Sequence, residues 1–285
     1  MSVRKQALKG KDEELRHEQQ LLSQLKHRNI VKTSKPSLLR RLMVSDQSEM
    51  YMENGGATLK TLKNLIPQRT ALPTTEQKVK EAKQHMGQVV DALVYLQGKG
   101  VIHFDLKPDN ILLNPVTGRI LLADFGLARK TYSQGKIYAA GGTQGYMAPE
   151  VVLSFLDKNA PPVSTAADAY SLGCILFEMI TGSKYLPTFG QTEEAQYASL
   201  YERSYSEYSE PLIRAKIQHA MPGIPPAQID ETVNLLMGML NPDPQNRIGP
   251  REIARHPFFS GFCQPLQAPQ KPGILKQIKG WLGYK

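Results

Sequence analysis

A pair of short apolar runs with an acidic residue at either end constrains this chain more than any other feature. The runs at 111–113 and 120–122 are separated by a turn that contains a proline and a glycine. Short apolar runs bounded by turn residues predict the two strands of a hairpin. Asp105 lies on the loop before this hairpin, and Asp124 lies on the loop after it. The fold must therefore carry two acidic loops beside one small sheet.

The residues at the ends of the predicted hairpin suit the binding of a cation and the transfer of a proton. Asn110 precedes the first strand, so pairing of the two strands would bring it close to Asp124. Carboxylate and amide oxygens are ligands that Mg²⁺ accepts in proteins. Asp105 would stand one step away as a proton acceptor, and Lys107 could neutralise a nearby phosphate.

This stretch resembles the catalytic loop and the metal-binding loop of the eukaryotic-type protein kinases. Further motifs of that family recur in the expected order and make the resemblance specific. Ala-Pro-Glu at 148–150 resembles the end of an activation segment, and 168–173 resembles the buried helix that follows it. Arg247 resembles the arginine that pairs with the Glu of this motif, here Glu150. The resemblance covers roughly residues 1–260.

The resemblance implies a fold of the α/β (α+β) class with the two lobes of a protein kinase. Residues 1–54 would form an abbreviated N-lobe, residues 55–262 a mainly helical C-lobe, and residues 263–285 a basic C-terminal tail. No glycine-rich motif precedes the first candidate strand. We therefore expect an N-lobe without the hairpin that covers the phosphates of ATP in the family.

Hydrophobic periodicity predicts the main helices. Leucines at helical spacing predict a helix over 12–27, and a continuous apolar face predicts another over 76–98. A mostly apolar run predicts a buried helix over 169–181. Prolines at 222, 225 and 226 are expected to break the chain before a helix over 228–240.

The resemblance implies the roles of the residues around the two acidic loops. Asp105 would accept the hydrogen bond and the proton of the substrate hydroxyl, and Lys107 would stabilise the transferring phosphoryl group. Thr143 would hydrogen-bond both of these residues. Asn110 and Asp124 would hold Mg²⁺.

Nucleotide binding is assigned by the same resemblance. In the family, a glutamate forms an ion pair with the lysine that binds the α and β phosphates of ATP. Glu18 matches the position of this glutamate, and Lys5 is the best candidate for the lysine. Lys9 is a poorer candidate for that lysine. Met52 is the best candidate for backbone hydrogen bonds to adenine, and Leu112 would form the floor beneath the base.

Residues 104–108 and Thr143 indicate the expected branch of the family and its regulation. Asp-Leu-Lys-Pro at 105–108 and Thr143 resemble the serine/threonine branch. Phe104 stands where the family usually has an arginine that receives a phosphate from the activation segment. Phenylalanine cannot pair with a phosphate. Alanine or valine at Thr131 and Ser133 is therefore expected to leave the rate intact.

The charge of the chain is positive and unevenly distributed. The formal net charge is +9, and residues 1–41 hold eleven Lys or Arg against four Asp or Glu. A solvated face with nucleotide-facing lysines is the favoured interpretation, with an acidic partner or an anionic membrane as the alternative. No nucleic-acid-binding motif accompanies the charge, so no nucleic-acid partner is expected.

Cysteine content and hydropathy point to a cytoplasmic setting. The chain has only two cysteines, which argues against a disulfide framework. It has no apolar run of membrane-spanning length and no signal-peptide pattern at Met1. The expected location is the cytoplasm, or the host-cell cytoplasm if the protein is a secreted effector.

The last residues suggest a weak contact with membranes as a minor alternative. As a helix, 274–285 would place Ile274, Ile278 and Trp281 on one side and lysines on the other. Such a face could lie on an anionic membrane or in a partner's groove. A frayed tail, or one packed on the domain, is the favoured interpretation.

The function expected from the resemblance is ATP- and Mg²⁺-dependent phosphorylation of serine or threonine in protein substrates. One alternative is a weak or inactive kinase-like module that regulates a partner. Another is an effector-type kinase that needs a partner to activate it or to complete its N-lobe. The presence of Asp105, Lys107, Asn110 and Asp124 favours the enzyme, because a pure scaffold has no physical need for all four.

Overall fold

The computed structural model of the chain describes residues 2–6, 12–34, 49–53, 55–60, 74–114, 117–131 and 141–263. Up to residue 58 the described residues form four short strands and one helix, and helices dominate from residue 75 onward, so the expected mixture of strands and helices with a mainly helical C-terminal part is confirmed. Lys9, Ser133 and the tail segment 274–285 lie outside the described residues. Within those residues, no helix is both long enough and apolar enough to cross a membrane.

A three-stranded antiparallel sheet forms the N-terminal part. Its strands are β1 (Ser2–Gln6), β2 (Thr33–Ser34) and β3 (Glu49–Glu53), in the order β1-β3-β2. The register places Lys5 opposite Met50, whose side chain is buried.

Helix α1 (Asp12–Gln24) presents a leucine face to the core, with Leu15 and Leu22 almost completely buried. The predicted helix over 12–27 was three residues too long. The N–H of Leu25 bonds the carbonyl of Leu22 at 3.1 Å, and this tight final turn ends the helix.

The predicted hairpin is confirmed. Strands β6 (Ile111–Leu113) and β7 (Ile120–Leu122) pair antiparallel, and β4 (Ala57–Thr58) adds to the other edge of β6. A separate ladder joins β5 (Val101–Ile102) to β8 (Arg129–Lys130). The two ladders thus hold the two acidic loops from both sides.

Two buried helices support these loops. Helix α2 (Thr75–Lys99) begins with a capping box between Thr74 and Gln77 and ends at Gly100, whose φ of 63° suits glycine. The predicted bounds of 76–98 were correct to within one residue at each end. Helix α4 (Ala166–Thr181) is buried along almost its whole length and begins three residues before the predicted start.

The remaining helices complete the C-terminal part. Pro226 was expected to lie in a break but instead occupies the first position of α7, where a proline costs no hydrogen bond because the N–H is unpaired in any residue. Helices not yet named are α3 (Pro149–Leu156), α5 (Glu193–Ser206), α6 (Glu210–Ala220), α7 (Pro226–Met239) and α8 (Pro250–Arg255).

Candidate active site

The loop that carries Asp105 is fixed to the buried helix α4. The carboxylate of Asp168 accepts hydrogen bonds from the N–H of His103 at 2.8 Å and the N–H of Phe104 at 3.1 Å. Burial raises the pKa of Asp168 to about 7, and the two N–H donors oppose this rise. Phe104 is buried in the left-handed region at φ 67°, an unfavourable conformation for a bulky residue. The two bonds to Asp168 help to hold the loop in that conformation.

His103 supports the same loop as a neutral ring. Its Nε2 lies 3.1 Å from the carbonyl oxygen of Ala123, and its Nδ1 lies 3.3 Å from the N–H of Asp105. The N–H of Asp105 can only donate, so Nδ1 accepts and Nε2 carries the proton. Complete burial lowers the pKa of His103, which agrees with this neutral tautomer.

Asp105 is the centre of a network of four predicted catalytic residues. Its Oδ1 accepts a hydrogen bond of 2.6 Å from the hydroxyl of Thr143. Its Oδ2 accepts bonds from Lys107 Nζ at 2.8 Å and from Asn110 Nδ2 at 3.0 Å. Lys107 also donates to Thr143 Oγ1 at 2.8 Å. Three donors around one carboxylate fix its orientation.

The predicted metal ligands meet at the ends of the hairpin. The N–H of Ala123 bonds the carbonyl of Asn110 at 3.0 Å, which brings Asp124 beside the start of β6. The amide nitrogen of Asn110 is used by Asp105, both on its main-chain oxygen at 2.8 Å and on its carboxylate. The amide oxygen of Asn110 is therefore the atom left to act as a ligand.

This donor set fits Mg²⁺. A carboxylate and an amide oxygen are hard ligands, and Mg²⁺ usually takes only one or two protein carboxylates, with phosphates and water as its remaining ligands. The described residues contain no cluster of three or more His, Cys, Asp or Glu that could hold a metal alone. A cation at Asn110 and Asp124 would take its remaining ligands from water or from the phosphates of a bound nucleotide.

Lys5, Glu18 and Asp124 form a second network beside the first. Lys5 Nζ lies 2.7 Å from Glu18 Oε2 and 2.7 Å from Asp124 Oδ1, and the side chain of Glu18 is only 1% exposed. Burial lowers the pKa of Lys5, but the ion pairs with the two carboxylates outweigh it and raise the pKa overall. Burial likewise opposes ionisation of Asp124, and Lys5 outweighs it, so the pKa of Asp124 is lowered. Lys5 and Asp124 therefore both remain charged near neutral pH.

Met52 and Leu112 lie where the N-terminal sheet meets the hairpin. Met52 is within β3, opposite Val3 on one side and Thr33 on the other, and its side chain is half-buried. Leu112 packs against Gly55: a Cβ atom placed on Gly55 would lie only 2.5 Å from Leu112 Cδ1. Their assignment to the adenine site stays a prediction.

The pair of Arg247 and Glu150 was expected from the resemblance and is confirmed. Arg247 donates to the two carboxylate oxygens of Glu150 at 2.7 and 2.8 Å, and both side chains are buried. The guanidinium also donates to the carbonyls of Asn241, Ala166 and Pro242. This pair joins the first turn of α3 to the segment before α8.

Two contributions to the site were not predicted from the sequence. One is the anchoring of the Asp105 loop by Asp168, and the other is the bond of 2.9 Å from the N–H of Phe125 to Glu18 Oε1. A signal for the first was available, because Asp168 is an acid within a mostly apolar helix and a buried charge requires partners. The second joins residues 107 positions apart, and nothing in the local pattern indicated it.

The chain is similar to known protein kinases. The family model described as the protein kinase domain matches residues 1–259. A probable serine/threonine-protein kinase of Dictyostelium discoideum is 34% identical over 210 residues, which are 70% of this chain and 35% of that protein. Ribosomal protein S6 kinase alpha-6 of Danio rerio is 34% identical over 208 residues, which are 69% of this chain and 25% of that protein.

The chain thus spans between a quarter and about a third of the length of these curated relatives. The family match nevertheless extends over nine-tenths of the chain, and it includes both networks around Asp105 and Glu18. On this evidence the chain belongs to the eukaryotic-type serine/threonine protein kinase family.

Proposed function

We propose that this protein transfers the γ-phosphoryl group of ATP to serine or threonine hydroxyls of protein substrates, with Mg²⁺ as the cofactor. The observation that carries the proposal is the bonding of Asp105, Lys107 and Thr143 to one another within 2.6 to 2.8 Å. The ion-paired network of Lys5, Glu18 and Asp124 accompanies it.

Asp105 would orient the substrate hydroxyl and accept its proton as the oxygen attacks the γ-phosphorus. The bond between this phosphorus and the bridging oxygen breaks, and ADP leaves with the bonding electrons. Thr143 and Asn110 hold the carboxylate of Asp105 in one orientation through their bonds of 2.6 and 3.0 Å. Such positioning is the main contribution of a protein to phosphoryl transfer.

Two lysines would neutralise the negative charge of the phosphates. Lys107 is half-buried beside Asp105, close enough to stabilise the charge that develops on the transferring group. Lys5 would hold the α and β phosphates, with Glu18 fixing its ammonium group. When bound, Mg²⁺ would neutralise further phosphate charge, and Asn110 and Asp124 would hold it.

Transfer of labelled phosphate from ATP to a generic basic protein tests the proposal. The unaltered chain should label the substrate, whereas Asp124→Ala and Asp105→Asn should each lose most of the activity. Asp230→Asn is a matched control, because Asp230 is an exposed acid in a surface ion pair with Arg214. Labelling that is equal in all four proteins would contradict the assigned roles.

If the unaltered chain transfers no phosphate to the substrate, the non-catalytic alternative is favoured. The same assay with added cell extract then separates a module without activity from an enzyme that needs a partner. Activity that appears only with extract and disappears in Asp124→Ala would assign the transfer to this chain.

A further inference from the structure

An exposed lysine, Lys184, lies beside the segment that follows Thr143. A Cβ atom placed on Gly145 would lie 3.8 Å from Lys184 Nζ, and the same Nζ is 5.2 Å from the centre of the Tyr146 ring. No ion pair with Lys184 is found in the part of the chain that the structure describes. Its contact with Tyr146 is a cation–π interaction, which leaves the ammonium group accessible to a ligand.

Two carboxylates that act on Tyr146 have partners of their own. Glu178 accepts a hydrogen bond of 2.5 Å from the hydroxyl of Tyr146. Asp109, on the same loop as Asp105, lies 3.0 Å from the ammonium group of Lys60. No described carboxylate lies within ion-pair distance of Lys184, and Glu178 is held by the Tyr146 hydroxyl.

The position of Lys184 relative to the proposed acceptor site follows from the turn at Thr143. The hydroxyl of Thr143 contacts Asp105 at 2.6 Å, and the N–H of Tyr146 bonds the carbonyl of Thr143 at 3.1 Å. Lys184 thus lies over a tight turn whose first residue touches the proposed catalytic aspartate. An extended peptide advances roughly 3.3 Å per residue, so a substrate whose hydroxyl lies at Asp105 could reach Lys184 with a side chain a few residues away.

We propose that Lys184 is a specificity-determining residue that favours substrates with an acidic side chain a few residues from the accepted hydroxyl. The proposal rests on the proposed kinase function and adds the substrate class to it. An exposed ion pair contributes modestly, so the expected preference is about two- to fivefold in kcat/KM.

A positional peptide scan tests this proposal. Peptides with one serine in a neutral background carry a single Glu, Gln or Lys at each flanking position in turn. The unaltered protein should prefer Glu over Gln at one or two positions on one side of the serine. The preference should weaken as ionic strength rises from about 0.01 M to about 1 M, where the Debye length falls to about 3 Å.

Variants at position 184 test whether Lys184 causes the preference for Glu over Gln. Lys184→Ala should bring the Glu-to-Gln ratio close to one, Lys184→Glu should reverse it in favour of Lys, and Lys184→Arg should retain it. Lys80→Ala is the matched control, because Lys80 is an exposed lysine on α2, and it should keep the preference of the unaltered protein.

The outcomes distinguish this inference from the proposed function. Labelling of neutral peptides without any preference for Glu would overturn the role of Lys184 and leave the kinase function standing. A preference for Glu that persists in Lys184→Glu would also overturn it. Failure to label any peptide would overturn the proposed function, and this inference with it.

Discussion

The carboxylate of Glu18 accepts the backbone N–H of Phe125 at 2.9 Å while it also pairs with Lys5. One buried side chain on α1 therefore holds both the proposed phosphate-binding lysine and the loop that carries Asp124. Any displacement of α1 would disturb these two elements together. The position of this helix is thus coupled to the geometry of the proposed nucleotide and metal sites.

Glu18→Gln should lower kcat/KM for ATP by about 10- to 100-fold, since a hydrogen bond to a charged group contributes about 1.5 to 3 kcal/mol. The amide can still accept the N–H of Phe125, but it cannot balance the charge of Lys5. Steady-state kinetics at varied ATP concentration measures the effect. Glu13→Gln changes an exposed acid on the same helix and should have no effect. Equal kinetics for the two variants would rule out the coupling.

Asp168→Asn should lower kcat more than it lowers the melting temperature. One of the two N–H groups of His103 and Phe104 would then face an amide NH₂, which cannot accept a hydrogen bond, so the loop loses its fixed position. The measurement is kcat beside thermal unfolding at one pH. A variant that melts much earlier but keeps the kcat of the unaltered protein would show that Asp168 acts on stability alone.

The same variant should change how stability depends on pH. The pKa of Asp168 is about 7 in the folded protein and 3.8 in its ordinary state, so the folded protein holds the proton more tightly. Below about pH 4 the group is protonated in both states and its ionisation has no effect. As pH rises from about 4 to about 7, the contribution of this group to stability falls. Urea unfolding across this range should show a smaller decline in Asp168→Asn than in the unaltered protein.

Thr131→Ala should leave the rate of phosphate transfer unchanged, because Phe104 offers no partner for a phosphate on the activation segment. It should cost about 1 kcal/mol of stability, since the Thr131 hydroxyl donates to the carbonyl of Gly100 at 2.9 Å. Thr131→Ser should restore the stability. Urea unfolding and the ATP transfer assay measure the two effects separately. A large loss of rate in Thr131→Ala without a loss of folded protein would contradict this prediction.

Arg247→Met should destabilise the folded protein by about 3 to 5 kcal/mol, because it leaves the carboxylate of Glu150 buried without a partner. The double variant Arg247→Met with Glu150→Gln should be more stable than the single variant, since the uncompensated charge is gone. Arg214→Met removes a cation from exposed ion pairs and should leave the urea midpoint almost unchanged. If Arg247→Met behaved like Arg214→Met, the buried pair would have no structural importance.

Several elements could be predicted from the sequence because their determinants are local. The hairpin of β6 and β7 follows from two apolar runs and a turn, and α2 follows from one apolar face with glycines at its end. Asp105, Lys107 and Asn110 fall within six consecutive residues, so backbone geometry alone keeps them close. The end of α1 was misplaced because a single tight bond at Leu25, not the leucine pattern, stops the helix.

What the amino-acid sequence determined by itself was therefore the chemistry of the site: which acids, amides and lysines are present and which of them are near neighbours. Only the tertiary structure decided how distant residues meet. Lys5 and Asp124 are 119 positions apart, Thr143 is 38 positions from Asp105, and Asp168 is 65 positions from His103. Such contacts depend on the packing of α1 against β2 and β3 and of α4 against α2, because no local backbone preference can bring together groups so far apart in the chain.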